Sequence, residues 1–285
     1  MCLAINIGDL KGLERLLSSK PDLVCDRGPF GETILHVAIL KKKADIAEWI
    51  IERYGDDYIP VLQESLQVTE IRLCEISYGQ GVKVDGTPYG HQYNGETALH
   101  QACKNGMLTV VKLLVDKKVN ANVEANGISF QEYSTSWEYP NLYSGSTPLH
   151  FAATRRDTLE IIKLLVEKGG ADIYRKDQYG NNILHVMAYF GIFNETYQYI
   201  VKRNDADLMK GVTKTKLITQ DNNHGLTPAM LGLSLGYCSM IEALKEPQWE
   251  FGDDIGITQF LWMISARFCI SEFFEFWVSN VEISY

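Results

Sequence analysis

The hydrophobic positions of this chain fall into short helical runs that occur in pairs. Apolar residues recur at helical spacing over residues 109–115 (TVVKLLV) and 159–166 (LEIIKLLV). Each run follows a shorter apolar segment that contains a small residue, Ala102 in one case and Ala152 in the other. Helices this short are unstable alone, so they need neighbours to pack against. The pattern therefore predicts a stack of helix pairs.

A six-residue cassette opens each predicted pair. The five cassettes begin at Gly31 (GETILH), Gly95 (GETALH), Gly145 (GSTPLH), Gly180 (GNNILH) and Gly225 (GLTPAM). The glycine permits a turn with positive φ, and the third residue, Thr or Asn182, can cap the helix that follows. An earlier segment that starts at Ala4 lacks the cassette but matches the back end of a first pair. Six pairs are therefore expected between residue 1 and about residue 244.

The cassette resembles the T-P-L-H-x-A signature of ankyrin repeats. This resemblance implies an all-α fold, an ankyrin-repeat solenoid of about six helix-pair repeats. The third residues of the five cassettes are separated by 64, 50, 35 and 45 residues, whereas an unadorned ankyrin array steps by about 33. Three connections therefore carry long insertions, or fingers, at about 53–92, 119–144 and 203–221.

The repeats and their insertions resemble the cytosolic N-terminal domain of the vanilloid subfamily of transient receptor potential channels. Residues 93–100 and 143–153 resemble its third and fourth repeats, and residues 177–185 and 222–229 resemble its fifth and sixth. The resemblance covers roughly residues 1–252. It ends with Gln248-Trp-Glu-Phe-Gly, which is similar to the start of the linker that precedes the family's membrane domain.

This resemblance implies an assembly and regulatory module of a calcium-permeable cation channel, or a truncated form that lacks the pore. The partners that it implies are other subunits of a homo- or hetero-tetramer, together with cytosolic regulatory proteins. The implied location is the cytoplasmic side of a membrane, or the cytoplasm for a stand-alone fragment. The alternative is a soluble ankyrin scaffold or adaptor that acts alone.

The expected domains are the ankyrin repeats at 1–245 and a linker-like start with an aromatic-rich tail at 246–285. Residues 249–285 contain ten of the chain's 31 aromatic residues. After Gly252 the resemblance ends, and neither a linker hairpin nor the six spanning helices of a channel follow. Two interpretations stay open: a short isoform whose apolar tail caps the last repeat, and a non-native end that would be sticky when exposed.

The candidate site consists of aromatic residues in the second insertion. Amphipathic aromatics at this density suit an interface anchor, although they would equally pack the finger against its own stack. The finger candidates are Phe130, Tyr133, Trp137, Tyr139 and Tyr143. The family resemblance adds Trp249 and Phe251 as linker contacts.

The histidines favour a structural role over a metal site. One histidine occupies the same position in each of four cassettes, so neighbours should be about 10 Å apart, too far to share an ion. Each is expected to hydrogen-bond the neighbouring turn. These four are His36, His100, His150 and His185. No phosphate-binding loop or nucleophile motif occurs, so neither a cofactor nor an enzyme activity is expected.

Charge and composition exclude several other classes. The net charge of −9 and the pI near 5.2 argue against nucleic-acid binding. Six widely spaced cysteines without a C-x-x-C pair fit reduced thiols. The N-terminus lacks the features of a signal peptide, and residues 255–270 are too short and too interrupted to span a bilayer. Glu32 and Val37 stand where ATP-binding members of the subfamily carry lysines, which argues against an ATP site.

Overall fold

The computed structural model describes residues 2–26, 32–55, 96–125 and 145–235. Within these ranges the chain is helical, without a β-strand. It divides into two compact units, Met1–Tyr179 and Gly180–Tyr285. The division lies at the start of the fourth cassette, which opens the fifth repeat. The predicted domain boundary near residue 245 lies outside the described residues. Cohesion in a solenoid is local, so compact units end where one repeat gives way to the next.

The described residues of the first unit form four helix pairs. In chain order these are α1 (Cys2–Ile7) and α2 (Leu10–Ser19), α3 (Ile34–Leu40) and α4 (Ala44–Tyr54), α5 (Ala98–Asn105) and α6 (Leu108–Asp116), and α7 (Pro148–Ala152) and α8 (Leu159–Glu167). A 3₁₀ helix, Pro21–Cys25, follows α2. The opening segment, predicted as the back end of a repeat, thus forms a helix pair of its own.

Two rows of helices form the layers of this unit. In the first row α1 packs on α3, α3 on α5 and α5 on α7. In the second row α4 packs on α6 and α6 on α8. The cassette leucines Leu35, Leu99 and Leu149 are buried in the shared core, and the small residues Ala102 and Ala152 are fully buried. Small side chains at these two positions allow the helices of neighbouring repeats to approach closely, as the sequence predicted.

The second unit contains the fifth repeat and the start of the sixth. Its helices are α9 (Ile183–Tyr189), α10 (Glu195–Met209) and α11 (Pro228–Ser234), with a 3₁₀ helix at Leu217–Thr219. Helix α9 packs on both α10 and α11, and the 3₁₀ helix packs on α10 and α11. Residues 203–209, assigned to an insertion from the sequence, continue α10. The described part of the chain therefore agrees with an all-α ankyrin solenoid.

Candidate protein-interaction surface

A histidine hydrogen-bonds the cap residue of the first helix in four of the repeats. In each, the backbone N–H of the cap residue donates a hydrogen bond to Nδ1 of a histidine three positions later. The pairs are Thr33 with His36, Thr97 with His100, Thr147 with His150, and Asn182 with His185. The Asn182 side chain also accepts from the backbone N–H of His185 at 3.2 Å. The third cassette residue therefore caps its helix.

The opposite nitrogen of two of these rings reaches the next cassette. His100 Nε2 donates to the carbonyl of Ser146 at 3.2 Å, and His185 Nε2 donates to the carbonyl of Leu226 at 2.8 Å. Because Nδ1 accepts from the cap residue, the proton of the neutral ring must lie on Nε2. This geometry confirms, for these two histidines, the prediction that the ring hydrogen-bonds the neighbouring turn.

Burial keeps the rings of His100 and His150 uncharged. It lowers the pKa of His100 to about 3, while hydrogen bonds from the ring to the backbone of Ser146 and Val123 oppose the shift. It also lowers the pKa of His150 to about 4, against a weaker opposing effect of the Arg175 backbone. A neutral ring with one donor and one acceptor is what the two-sided hydrogen bonding requires.

The described residues bring the two ends of the 126–144 finger segment together. The Ala125 N–H donates to the Ser146 carbonyl at 2.8 Å, and the Gly145 N–H donates to the Ala125 carbonyl at 2.7 Å. Gly145 has a φ of 78°, and a Cβ there would lie 2.8 Å from the backbone nitrogen of Gln178. Since His100 binds the same Ser146 carbonyl, the finger base is fixed to helix α5. The described residues that flank the finger segment are therefore joined by hydrogen bonds to each other and to α5.

A buried carboxyl group lies directly before the cap residue of α5. Glu96 is fully buried, and the Gln101 amide donates to its Oε2. Its Oε1 has no hydrogen-bond partner. Burial raises the pKa of Glu96 to about 8, although the nearby charge of Lys104 opposes the shift. Burial in turn lowers the pKa of Lys104, whose Nζ lies 6.0 Å from the ring centroid of Phe151.

The predicted site residues lie outside the described part of the chain. This applies to the finger aromatics Phe130, Tyr133, Trp137, Tyr139 and Tyr143, and to the linker residues Trp249 and Phe251. Their role as contacts therefore stays a prediction. Of the finger, the structure describes the flanking residues, among them Ala125 and Ser146.

The described ranges contain a buried thiol but no cluster of metal ligands. Cys103 is buried, and burial raises the pKa of its thiol far above the ordinary value, which keeps the sulfur protonated and shielded. In the same ranges no three His, Cys, Asp or Glu side chains are placed to hold a metal ion. No helix in residues 2–26, 32–55, 96–125 or 145–235 has the length and apolarity needed to cross a bilayer.

Sequence reasoning missed two groups in the described residues. One is the pair Glu96 and Lys104, eight residues apart on the cassette and helix α5. No sequence signal marked Glu96, because the equivalent Glu32 of the first cassette is only half-buried. The other is Asn122, whose side chain binds the Gly170 carbonyl at 2.9 Å and accepts from the Asp172 N–H at 2.8 Å.

Comparisons with known proteins agree with this architecture. A family model described as "Ankyrin repeats (3 copies)" matches residues 1–124, 73–177, 130–211 and 149–258. The chain is 32% identical over 256 residues to the transient receptor potential cation channel subfamily V member 5 of Rattus norvegicus, covering 86% of this chain and 30% of that protein. It is 27% identical over 259 residues to subfamily V member 6 of Homo sapiens, covering 88% of this chain and 29% of that protein.

Member 1 of the same subfamily, from Canis lupus familiaris, is 30% identical over 215 residues, which cover 68% of this chain and 23% of that protein. The chain thus spans less than a third of the length of these curated relatives. Both kinds of comparison follow the repeats and extend beyond the cassettes into the insertions. The chain belongs to the ankyrin-repeat family, and it is an ankyrin-repeat domain of the type carried by vanilloid-subfamily transient receptor potential channels.

Proposed function

We propose that this chain is the assembly and regulatory module of a vanilloid-type, calcium-permeable cation channel, and that it acts through protein–protein contacts at the cytosolic face of the membrane. The observation that carries the proposal is the 32% identity to the rat member 5 channel over 86% of this chain. A match of that extent includes the irregular insertions as well as the repeats. The insertions distinguish this domain from a generic ankyrin stack.

The finger that begins after Ala125 is proposed as the contact with a neighbouring subunit. Its base is held by the Ala125–Ser146 backbone bonds and by His100. A fixed base lowers the entropy that the finger loses on binding, because fewer conformations must be ordered. Trp137 and Tyr139 have the side-chain type that dominates interface energies. Together these features favour subunit association over catalysis.

Co-purification tests the proposal. The tagged chain is co-expressed with a full-length channel, the rat subfamily V member 5, and the channel is captured through a separate tag. The chain should co-purify with the channel and reduce the cation current, because it would occupy subunit contacts without supplying a pore. The double variant Trp137→Ala, Tyr139→Ala should lose at least about tenfold in capture, since buried interface aromatics commonly contribute 2 kcal/mol or more, about thirtyfold in affinity.

Glu52→Gln serves as the matched control, because Glu52 is an exposed residue of α4 remote from the finger in sequence. Far-ultraviolet circular dichroism must show equal helix content in all variants. A folded chain that neither co-purifies with the channel nor changes its current would refute the channel proposal and favour a stand-alone scaffold. Loss of helix in the double variant would instead make Trp137 and Tyr139 core residues and remove the finger from the interface.

A further inference from the structure

Two large apolar side chains are exposed to solvent at the end of α10. Met209 is 88% exposed and Val212 is 68% exposed, and they are three residues apart. Met209 is the most exposed of the large apolar side chains in the described ranges. Single exposed apolar residues are normal on protein surfaces, but two neighbours on one short loop form a local apolar tip.

The way in which α10 ends explains why these side chains are not covered. The Gly211 N–H donates to the Leu208 carbonyl at 3.0 Å, and the Val212 N–H donates to the Asp207 carbonyl at 2.9 Å. With Gly211 at a φ of 69°, this is a Schellman motif. The residue at the Val212 position usually packs on the side chain at the Asp207 position. Here that side chain is a carboxylate 3.4 Å from Nε of Arg203, so it offers no apolar surface.

The loop that follows is held in place by a buried amide. Asn204 is 1% exposed, and its Nδ2 donates to the Thr215 carbonyl at 2.8 Å. Its Oδ1 accepts from the Leu217 N–H at 3.0 Å. Leu217 and Ile218 are buried directly afterwards. Hydrogen bonds therefore hold the loop 209–216 at both ends. Its two exposed apolar side chains, Met209 and Val212, thus lie on a fixed loop.

Four lysines flank the tip in the sequence. Lys202, Lys210 and Lys214 are exposed, and Lys216 is half-buried. Among the ion pairs of the described residues, none involves these four lysines. The acidic residue nearest to Met209 along the helix, Asp207, is paired with Arg203, and Asp205 lies four residues before Met209. The surface thus combines an apolar tip with unpaired positive charge, which together we name the α10 loop patch (Lys202, Met209, Lys210, Val212, Lys214 and Lys216).

We propose that the α10 loop patch docks on an anionic lipid bilayer, with Met209 and Val212 entering the headgroup region and the lysines attracted to the acidic headgroups. Two apolar side chains are too small a surface for a stable protein interface, which buries about 800 Å² on each partner. They suffice for shallow insertion when lysines add electrostatic attraction, because peripheral membrane binding scales with both contributions. The net charge of −9 of the whole chain makes this local positive surface the part that a negative membrane would select.

Vesicle co-sedimentation of the full chain tests the docking site. The chain should bind vesicles of phosphatidylcholine with 30 mol% phosphatidylserine, and bind weakly to phosphatidylcholine alone. Lys210→Glu with Lys214→Glu should lower the partition coefficient by at least about 25-fold, since each lysine near a charged membrane contributes about a factor of five. Met209→Ser with Val212→Ser should lower it by about tenfold or more, and raising the salt should weaken binding of the native chain.

Two matched controls separate this patch from diffuse attraction. Leu3→Ser with Ile7→Ser removes an equally exposed apolar pair on α1, and Lys41→Glu with Lys42→Glu reverses two exposed lysines after α3. Both should leave the partition coefficient within about twofold of the native value, with the circular dichroism spectrum unchanged. Equal binding to both kinds of vesicle, or equal losses in the patch and control variants, overturns the proposal. Absence of vesicle binding together with patch-dependent capture of a labelled acidic amphipathic peptide also overturns it, in favour of a protein partner.

Discussion

Replacing Glu96 by Gln should stabilise the protein at neutral pH, and the gain should grow with pH. Glu96 is fully buried, and burial raises its pKa from 4.5 to about 8. Between these values the folded state keeps a proton that the unfolded chain releases. Stability from this group is therefore complete below pH 4.5 and is lost as the pH rises towards 8. Glutamine has the size of the protonated carboxyl group and does not titrate, so the Glu96→Gln variant should not lose this stability.

The size of the expected stability gain follows from the difference between the folded and unfolded pKa values of Glu96. Each unit of pKa difference corresponds to about 1.4 kcal/mol, so the loss from Glu96 at pH 7 is about 3 kcal/mol. The Glu96→Gln variant should thus match the native chain near pH 4.5 and exceed it by about 3 kcal/mol at pH 7. An unmatched amide donor in the buried site would reduce the gain by about 1 to 2 kcal/mol at every pH. The change of the difference with pH, rather than its absolute value, is therefore the quantity to measure.

Urea unfolding followed by circular dichroism at pH 5, 6, 7 and 8 gives this quantity. Glu52→Gln, on an exposed residue, is the control and should follow the native curve throughout. A difference between Glu96→Gln and the native chain that stays constant from pH 5 to 8 would refute the reasoning. So would a loss of stability in Glu96→Gln that increases with pH, because it would mean that Glu96 is ionised and stabilised by Lys104 in the fold.

Three further outcomes are expected. Burial lowers the pKa values of His100 and His150 to about 3 and 4 in the folded protein, whereas both titrate near 6.5 when unfolded. Each should therefore cost about 1.4 kcal/mol of stability per pH unit as the pH falls below 6.5. Urea midpoints at pH 6.5, 5.5 and 4.5 would measure this loss. Asn122→Ala should lower stability by about 1 to 2 kcal/mol, because it removes two hydrogen bonds between neighbouring repeats. A urea-unfolding midpoint equal to that of the native chain would show that water replaces these hydrogen bonds. Asp157→Asn should change stability by less than about 1 kcal/mol, because its ion pair with Arg155 is exposed, and a larger shift in thermal unfolding would contradict that view.

The repeat cassettes made the fold predictable because they specify local structure and core packing at the same positions. In the second cassette, Thr97 caps the helix, Leu99 fills the core and His100 hydrogen-bonds the next turn. Each of these roles depends on residues only a few positions away or one repeat away. A regular repeat fixes both distances, so a sequence pattern is enough to assign them.

Burial at the edges of this pattern was not predictable in the same way. The sequence Gly-Glu-Thr does not indicate that Glu96 is buried, because its burial depends on which residues pack over the turn. The spacing of the cassettes placed an insertion at about 203–221, and α10 extends into this segment as far as Met209. Asn204 is buried there, and its amide hydrogen-bonds the backbone at two positions of the following loop. Polar side chains of this kind give no hydrophobic signal, so periodicity does not identify Asn204 as a buried residue.

The distribution of charge connects the two proposals. The described ranges hold 22 of the 27 Lys and Arg residues but only 20 of the 36 Asp and Glu residues, so the chain's excess negative charge lies in its other segments. The remaining acidic residues are concentrated in residues 56–95 and 236–285. The lysines of the α10 loop patch thus belong to segments that do not carry the excess negative charge, which favours approach to an anionic bilayer through that patch. Subunit contacts through the finger and bilayer contacts through the patch would then use separate parts of the chain, so the finger variants should leave vesicle binding unchanged and the patch variants should leave channel capture unchanged.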